Sequence, residues 1–235
     1  MPHPAQTCRW HAYPTADELS QAAAKKILHS AQQAIDHNGR FSIVLAGGNS
    51  PHQVYELLRT SNADWPHWHV YFGDERCLPP QNPERNSRMA AEAWLDHVAI
   101  PRSRIHPIPS ELGPEQATAA YTKTLETAGE FDMVLLGLGE DGHTASLFPG
   151  QAWGIEQGAP PVMAIFDSPK PPPQRVSLSA SRLGQAHEVM FLVTGMGKRQ
   201  AITEWQSGKA IPASAITPPG GVDVYLEALL LDRPG

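Results

Sequence analysis

One continuous run of residues constrains the fold more than any other part of this chain. Residues 133–136 are apolar without a break, and residues 137–143 then bring three glycines, two carboxylates and a histidine. A strand that is apolar on both faces belongs in the middle of a parallel sheet covered by helices. Such sheets bind ligands beyond the carboxyl ends of their strands. The run therefore predicts an α/β protein whose functional site includes the residues after 136.

Residues 137–142 also match G-x-G-x-x-G, the glycine pattern of dinucleotide-binding folds. That pattern requires a long helix whose N-terminus receives the pyrophosphate, and Pro149 ends any helix within two turns. Glu140 and Asp141 would also oppose the charge of a pyrophosphate. A tight strand-to-helix turn would explain the glycines, but not an Asp-Gly-His cluster at the strand end. We therefore do not interpret the run as a nucleotide site.

Apolar periodicity alternates between helix and strand along the chain. It predicts helices at about 15–38, 51–60, 86–98, 114–127 and 199–205, and strands at 41–45, 70–72, 132–136, 162–166, 176–178, 189–193 and 222–226. This alternation predicts a mostly parallel, Rossmann-like sheet with helices on both faces, as one α/β domain over residues 1–235. Ser50 is expected to cap the second helix, with Pro51 in its first turn.

The net charge of −6 is spread along the chain, without a basic patch for nucleic acid or a polybasic segment for a membrane. The N-terminus lacks the apolar core of a signal peptide. Cys8 and Cys77 suit neither a disulfide framework nor a zinc site. We expect a cytoplasmic protein, monomeric or weakly dimeric, that binds a small molecule and neither nucleic acid nor a membrane.

The segment after the 41–45 strand has the composition of a phosphate site. Gly47 and Gly48 expose backbone N–H groups beside the positive end of a helix dipole. Asn49 and Ser50 can donate further hydrogen bonds. A plain capped turn would have the same composition, so this segment alone leaves both interpretations open.

Several cations follow or precede predicted strands and could complete an anion site. Lys198 lies in a glycine junction that is not a Walker A loop, because an arginine replaces the required Ser or Thr. Asp74 or Glu75 could orient a base, and Arg76 could hold an anion or stabilise an oxyanion, although a local ion pair is the alternative. Arg88 would join them if its loop folds back. Arg175 precedes another strand.

His143 is the best candidate for a general base, because histidine titrates near neutral pH and this one lies in an acidic glycine loop. Asp141 could fix its tautomer or help polarise water. Metal binding is the weaker alternative, since no clear third ligand is nearby. Ser146 lacks the Gly-x-Ser-x-Gly elbow of a serine hydrolase. A hydrolase of this sequence would therefore use direct attack by water.

Four segments together resemble the glucosamine-6-phosphate isomerase/6-phosphogluconolactonase family, and specifically its lactonases. The segments are 45–51, 73–76 with Asn86 and Arg88, 137–149, and 171–178 leading to 194–198. The resemblance implies the fold shared with glucosamine-6-phosphate isomerase/deaminase. It also implies hydrolysis of 6-phospho-D-glucono-1,5-lactone to 6-phospho-D-gluconate, the second step of the oxidative pentose phosphate pathway. It implies His143 as the general base, Arg76 and Lys198 as substrate contacts, and no metal or organic cofactor.

Two other functions remain open from the sequence. An amino-sugar-phosphate isomerase/deaminase on the same fold would use Asp74 as a base, but such enzymes tend to carry Tyr where this chain has Arg76. A non-enzymatic sugar-phosphate sensor, as in the effector domains of bacterial regulators, would add a DNA-binding helix-turn-helix. The sequence before the first predicted helix does not indicate one.

Overall fold

The structure is a computed structural model that describes residues 6–231. The N-terminal residues on which the signal-peptide prediction rests lie partly outside this range. Within it the strands are β1 Cys8–Tyr13, β2 Phe41–Leu45, β3 Trp68–Phe72, β4 Asp74–Arg76, β5 Ile105–His106, β6 Phe131–Gly137, β7 Val162–Ile165, β8 Arg175–Leu178, β9 Ala186–Val193 and β10 Val222–Glu227. The α-helices are α1 Ala16–Asn38, α2 Asn49–Arg59, α3 Asn86–Ala93, α4 Pro114–Leu125, α5 Ala180–Leu183 and α6 Arg199–Gln206.

The main sheet contains seven parallel strands in the order β1-β10-β9-β6-β2-β3-β5. Its central strand is β6, and Met133 through Leu135 are fully buried there, as the apolar run predicts. Helix α1 packs against β2, β6 and β10, and α2 packs against β6 and β9. The prediction of a mostly parallel α/β sheet is confirmed. No helix among the described residues is both long and apolar enough to cross a membrane.

A second, smaller sheet has the strand order β4-β8-β7 and is antiparallel. The predicted strands near 162–166 and 176–178 belong to it rather than to the main sheet. Gly73 joins the two sheets, because its N–H donates to Leu45 O at 2.9 Å and its carbonyl accepts from Leu178 N at 2.8 Å. The small sheet therefore stands over the carboxyl edge of the main sheet.

The helix starts agree with the sequence in one case and differ in another. Thr15 caps α1 and accepts the N–H of Glu18 at 3.2 Å, so this helix begins where the periodicity predicts. The prediction that Ser50 caps the second helix is wrong, because α2 begins at Asn49 with Gly48 as its cap. Gly48 has a φ of 102°, a conformation that glycine adopts readily, so the chain turns into the helix earlier than Ser50.

The third helix is shorter than the sequence pattern predicts. It ends at Ala93, and a 3₁₀ turn, Leu95–His97, replaces the remaining predicted residues. Trp94 leaves the helix with φ −148° and buries its indole against Trp65 and Trp68. Tertiary packing of one large aromatic side chain therefore overrides the helical periodicity here.

Candidate active site

The carboxyl edge of the main sheet borders two adjoining cavities of about 190 and 300 Å³. Both are lined by the backbone at residues 47–48 and 137–138 and by Lys198. The first also contains His143, Arg76 and Arg175, and the second contains residues 49–51 and 194–195. The glycine loop, the histidine and three of the predicted cations therefore lie in one continuous cleft.

The centre of the first cavity is a His–Asp pair at the end of β6. His143 Nδ1 lies 2.5 Å from Asp141 Oδ1, which also accepts the backbone N–H of His143 at 3.3 Å. The imidazole packs against the buried ring of Phe148, with 4.8 Å between ring centroids. With Nδ1–H donated to the carboxylate, Nε2 is the ring nitrogen left to act on a substrate or a water.

The environment keeps this imidazole neutral and its partner ionised. Burial lowers the pKa of His143, against the opposing effect of Asp141, and the charge of Lys170 lowers it further. Burial acts to raise the pKa of Asp141, but the hydrogen bond and charge of His143 outweigh it, so the pKa of this carboxyl lies below its ordinary value. A neutral histidine beside a carboxylate is the arrangement that general-base catalysis requires.

The loop that carries His143 is shaped by close backbone contacts. Gly139 N donates to His143 O at 2.7 Å, and a side chain at Gly139 would overlap the imidazole. Thr144 Oγ1 donates to Gly137 O at 2.8 Å, which ties the loop back to β6. No helix forms over residues 138–150. The helix N-terminus that a dinucleotide pyrophosphate needs is therefore not present after β6, in agreement with the sequence argument.

The small sheet contributes two arginines to the cavity. Arg76 and Arg175 are directly opposite each other on β4 and β8, so both side chains leave the same face. Backbone carbonyls hold them: Arg175 donates to the carbonyls of Lys170, Pro171 and Pro172 at 3.0–3.1 Å, and Arg76 donates to the carbonyl of Glu84 in the loop that follows β4. Among residues 6–231, neither guanidinium has a carboxylate within 4.0 Å. Their positive charge therefore remains available to an anionic ligand.

The two acidic residues that precede Arg76 have different environments. Asp74 lines the cavity, and its carboxylate accepts hydrogen bonds from Asn86 Nδ2 at 3.0 Å and Ser146 Oγ at 2.6 Å. Glu75 points to the opposite face and is fully buried. It accepts the N–H groups of Asn86 and Ser87 at the start of α3, both at 2.8 Å. Glu75 therefore caps a helix rather than orienting the base.

The second cavity has the features of a phosphate site. Gly48 caps α2 without a side-chain hydrogen bond, so the first N–H groups of that helix have no capping side chain. Ser50 Oγ hydrogen-bonds Thr194 Oγ1 at 2.7 Å across the cavity, and Asn49 is exposed beside it. Burial lowers the pKa of Lys198, and the charge of Lys170 adds to this effect while Glu140 opposes it.

The structure does not bring Arg88 to this cleft. Arg88 pairs with Glu92 at 2.6 Å and lines a separate cavity of about 520 Å³ on the other side of α3. The sequence interpretation gave no cavity role to Asn86, which lines the first cavity and contacts Asp74. Its position at the start of α3 and its place in the family motif are the only sequence signals for it. Among the described residues, no group of three or more His, Cys, Asp or Glu side chains could hold a metal ion.

Known proteins of one family match this chain over most of its length. Residues 14–225 match the family described as "Glucosamine-6-phosphate isomerases/6-phosphogluconolactonase". The chain is 34% identical to the 6-phosphogluconolactonase of Mycobacterium leprae, with 90% of each chain covered. It is also similar to the crystal structure of 6-phosphogluconolactonase from Thermotoga maritima, with a TM-score of 0.87, 26% identity and coverage of 94% of this chain and 100% of the other.

The fold also extends to a protein with little sequence similarity. A monomeric glucosamine-6-phosphate deaminase superposes with a TM-score of 0.81 at 19% identity, covering 95% of this chain and 98% of that one. At this identity the likeness concerns the fold alone. It confirms the expected architecture, and the chemistry has to be argued from the residues in the cleft.

Proposed function

Because this chain belongs to the glucosamine-6-phosphate isomerase/6-phosphogluconolactonase family, we propose that it hydrolyses 6-phospho-D-glucono-1,5-lactone to 6-phospho-D-gluconate. This reaction is the second step of the oxidative pentose phosphate pathway. The observation that carries the proposal is the His143–Asp141 pair, 2.5 Å apart, in a cavity that also contains Arg76 and Lys198. This arrangement provides a base, an oxyanion partner and an anion site for one substrate.

The chemical step uses water as the nucleophile. His143 Nε2 takes a proton from a water, whose oxygen forms a bond to C1 of the lactone while the carbonyl electrons move onto its oxygen. Arg76 stabilises this oxyanion. When the tetrahedral intermediate collapses, the bond from C1 to the ring oxygen breaks and the imidazolium returns its proton to that oxygen. The new carboxylic acid then releases a proton to solvent.

Asp141 keeps the imidazole in the tautomer that this step needs and stabilises the imidazolium that forms. Ser146 is not available as a competing nucleophile, because it is fully buried and donates its hydroxyl proton to Asp74. These contacts support direct attack by water rather than a covalent acyl intermediate.

The 6-phosphate occupies the second cavity in this proposal. The start of α2 offers the N–H groups of Asn49 and Ser50, and Lys198 lies between the two cavities. Anchoring the phosphate there places the lactone ring across the carboxyl edge of β6, toward His143. Arg175, on the small sheet, adds positive charge to the part of the cavity where the product carboxylate forms.

Deaminase chemistry fits this site less well. An isomerase/deaminase requires a free carboxylate base near the sugar, and Asp74 is the corresponding residue. Asp74 is 6% exposed, and its carboxylate accepts hydrogen bonds from Ser146 and Asn86. Hydrolysis instead uses His143 as the base, and its Nε2 is the ring nitrogen left to act on a water.

The test is a lactone-hydrolysis assay with freshly prepared substrate, corrected for the spontaneous opening of the lactone, with glucosamine 6-phosphate as the comparison substrate. The wild-type protein is expected to hydrolyse the lactone and to leave the amino sugar unchanged. The variant His143→Ala should lower kcat by about 10²–10⁴-fold, the usual contribution of a general base. The control is His187→Ala, an exposed histidine at the opposite end of the sheet. A loss of less than about tenfold in His143→Ala would reject its role as the base.

A further inference from the structure

Ser146 connects the loop of the His–Asp pair to the small sheet. The side chain is fully buried, and its Oγ donates to Asp74 Oδ2 at 2.6 Å. Its backbone N–H donates to Ser177 Oγ at 3.2 Å. Asp74 and Ser177 are direct partners across β4 and β8, so one residue of the loop contacts both strands at the same position. The preceding residue, Ala145, has a φ of 48°, which is unusual for a residue with a side chain.

The face of the small sheet that Ser146 contacts carries one carboxylate and two guanidinium groups. Side chains two residues apart on a strand share a face, so Asp74 and Arg76 leave β4 on the same side. Arg175 leaves β8 on that side too, opposite Arg76. A carboxylate beside two guanidinium groups would normally pair with one of them. Asp74 has no such pair within 4.0 Å among residues 6–231, and its hydrogen-bond donors are a hydroxyl and an amide.

We propose that Ser146 is a positioning residue that holds the Asp74 carboxylate away from the two arginines on the same sheet face. The proposal deepens the hydrolytic function proposed above and rests on it. Because Asp74 is held by Ser146, Arg76 keeps its full charge for the oxyanion. The same bond fixes the distance between the loop of His143 and the sheet that carries Arg76.

Loss of the hydroxyl has a defined consequence. Without Ser146 Oγ, one oxygen of Asp74 is buried with no donor, which is unfavourable for a charged group. The carboxylate can regain a hydrogen-bond donor by turning toward a guanidinium on the same face of the small sheet. That contact would neutralise part of the charge that Arg76 directs at the developing oxyanion. The effect should therefore appear in the chemical step more than in substrate binding.

The first experiment compares Ser146→Ala with Ser42→Ala. Ser42 is also buried and donates its Oγ to a carboxylate, Asp132, at 2.7 Å, but it lies at the amino end of β2, away from the cleft. Each variant therefore loses a hydroxyl–carboxylate bond, and Ser42→Ala also loses the acceptor of the Asp132 N–H. We expect a loss of Tm in both variants, but a kcat lower by about tenfold to hundredfold in Ser146→Ala only, with KM changed less than about threefold. Equal kcat values in the two variants would overturn the proposal.

The second experiment tests whether Ser146 acts through Asp74. In the Asp74→Asn background there is no carboxylate to restrain, so adding Ser146→Ala should lower kcat by less than about twofold. Independent, multiplying losses would show that the serine acts in another way and would overturn the proposal.

The third experiment does not depend on the identity of the substrate. The charged groups that face His143 are Asp141, Lys170 and Asp74, and the negative charge of Asp74 raises the pKa of the imidazole. In Ser146→Ala the carboxylate moves toward the arginines, so an NMR titration should show a lower pKa of His143. An unchanged titration would overturn the proposal. A wild-type protein that does not hydrolyse the lactone would reject the proposed function instead, while this titration would still report the role of Ser146.

Discussion

Gly139 offers a test of the His–Asp pair, because it lies against the side chains of both His143 and Asp141. A Cβ built on Gly139 would lie 1.8 Å from His143 Nδ1 and 2.5 Å from Asp141 Oδ1. Its φ is not in the left-handed region, so an alanine there has no backbone strain of its own. The substitution Gly139→Ala therefore inserts one methyl group into the hydrogen bond between the two side chains.

The size of the effect follows from the distances. Cβ atoms do not approach other heavy atoms closer than 3.0 Å, so the imidazole of His143 has to move. A displacement of about 1 Å at a catalytic group lowers the rate by about 10²-fold. We therefore expect kcat of Gly139→Ala to fall by about 10²-fold, or about 2.7 kcal/mol in the activation free energy. KM should change little, because the phosphate cavity does not contain Gly139.

The assay is steady-state hydrolysis of fresh lactone, with Tm and near-ultraviolet circular dichroism to verify folding. The matched control is Gly220→Ala, where the nearest heavy atom, His187 O, would lie 3.5 Å from the new Cβ, an ordinary contact. Gly220 precedes β10 at the amino end of the sheet. If folded Gly139→Ala keeps kcat within about threefold of the wild type, the contact between His143 and Asp141 does not position the base, and the reasoning is refuted.

Three further predictions concern other parts of the cleft and its support. Burial holds the pKa of His143 below its ordinary value, and Asp141 opposes this effect by raising that pKa. Asp141→Asn should therefore move the acidic limb of the kcat/KM pH profile to lower pH and also lower kcat. An acidic limb shifted to higher pH would contradict this. Lys198→Ala should raise KM by about tenfold with little change in kcat, and an unchanged KM would remove Lys198 from the phosphate site. Glu75→Ala should lower the free energy of unfolding by about 3 kcal/mol in urea titrations, because the cap of α3 and one of the two carboxylates beside buried Arg85 are lost together, Glu111 being the other. A change below about 1 kcal/mol would contradict that role.

The sequence predicts the main sheet well because its inner strands are apolar on both faces. Strand β2 begins and ends where the pattern places it, and β6 and β9 extend the predicted ranges by a few residues. Strand β1 is not predicted, since it lies at the edge of the sheet and none of its residues is fully buried. Strand β5 is only two residues long and has no period to detect. The apolar pattern therefore identifies strands through their burial, and this signal weakens where only one face of the sheet is covered.

The small sheet could not be predicted from local sequence. Strand β4 consists of Asp74, Glu75 and Arg76, which carry charge and no apolar alternation. Its strand character comes from pairing with β8, about a hundred positions later in the chain. The sequence indicates the charges at this point but leaves open whether Asp74 or Glu75 orients a base. The alternation of the strand turns Glu75 away from the cavity and under α3.

The division of the site between two sheets explains why one family can carry different reactions. In the proposed function, the parallel sheet provides the phosphate site at Gly48 and the base at His143, both next to the carboxyl ends of strands. The small sheet provides the charges at positions 74 and 76, and it meets the main sheet through Gly73 and Ser146. A change in the small sheet can therefore alter which charge faces the sugar carbon while the phosphate stays bound in place. In the function proposed for this chain, that charge is the guanidinium of Arg76 beside the carboxylate of Asp74, an arrangement that would favour an oxyanion and so hydrolysis.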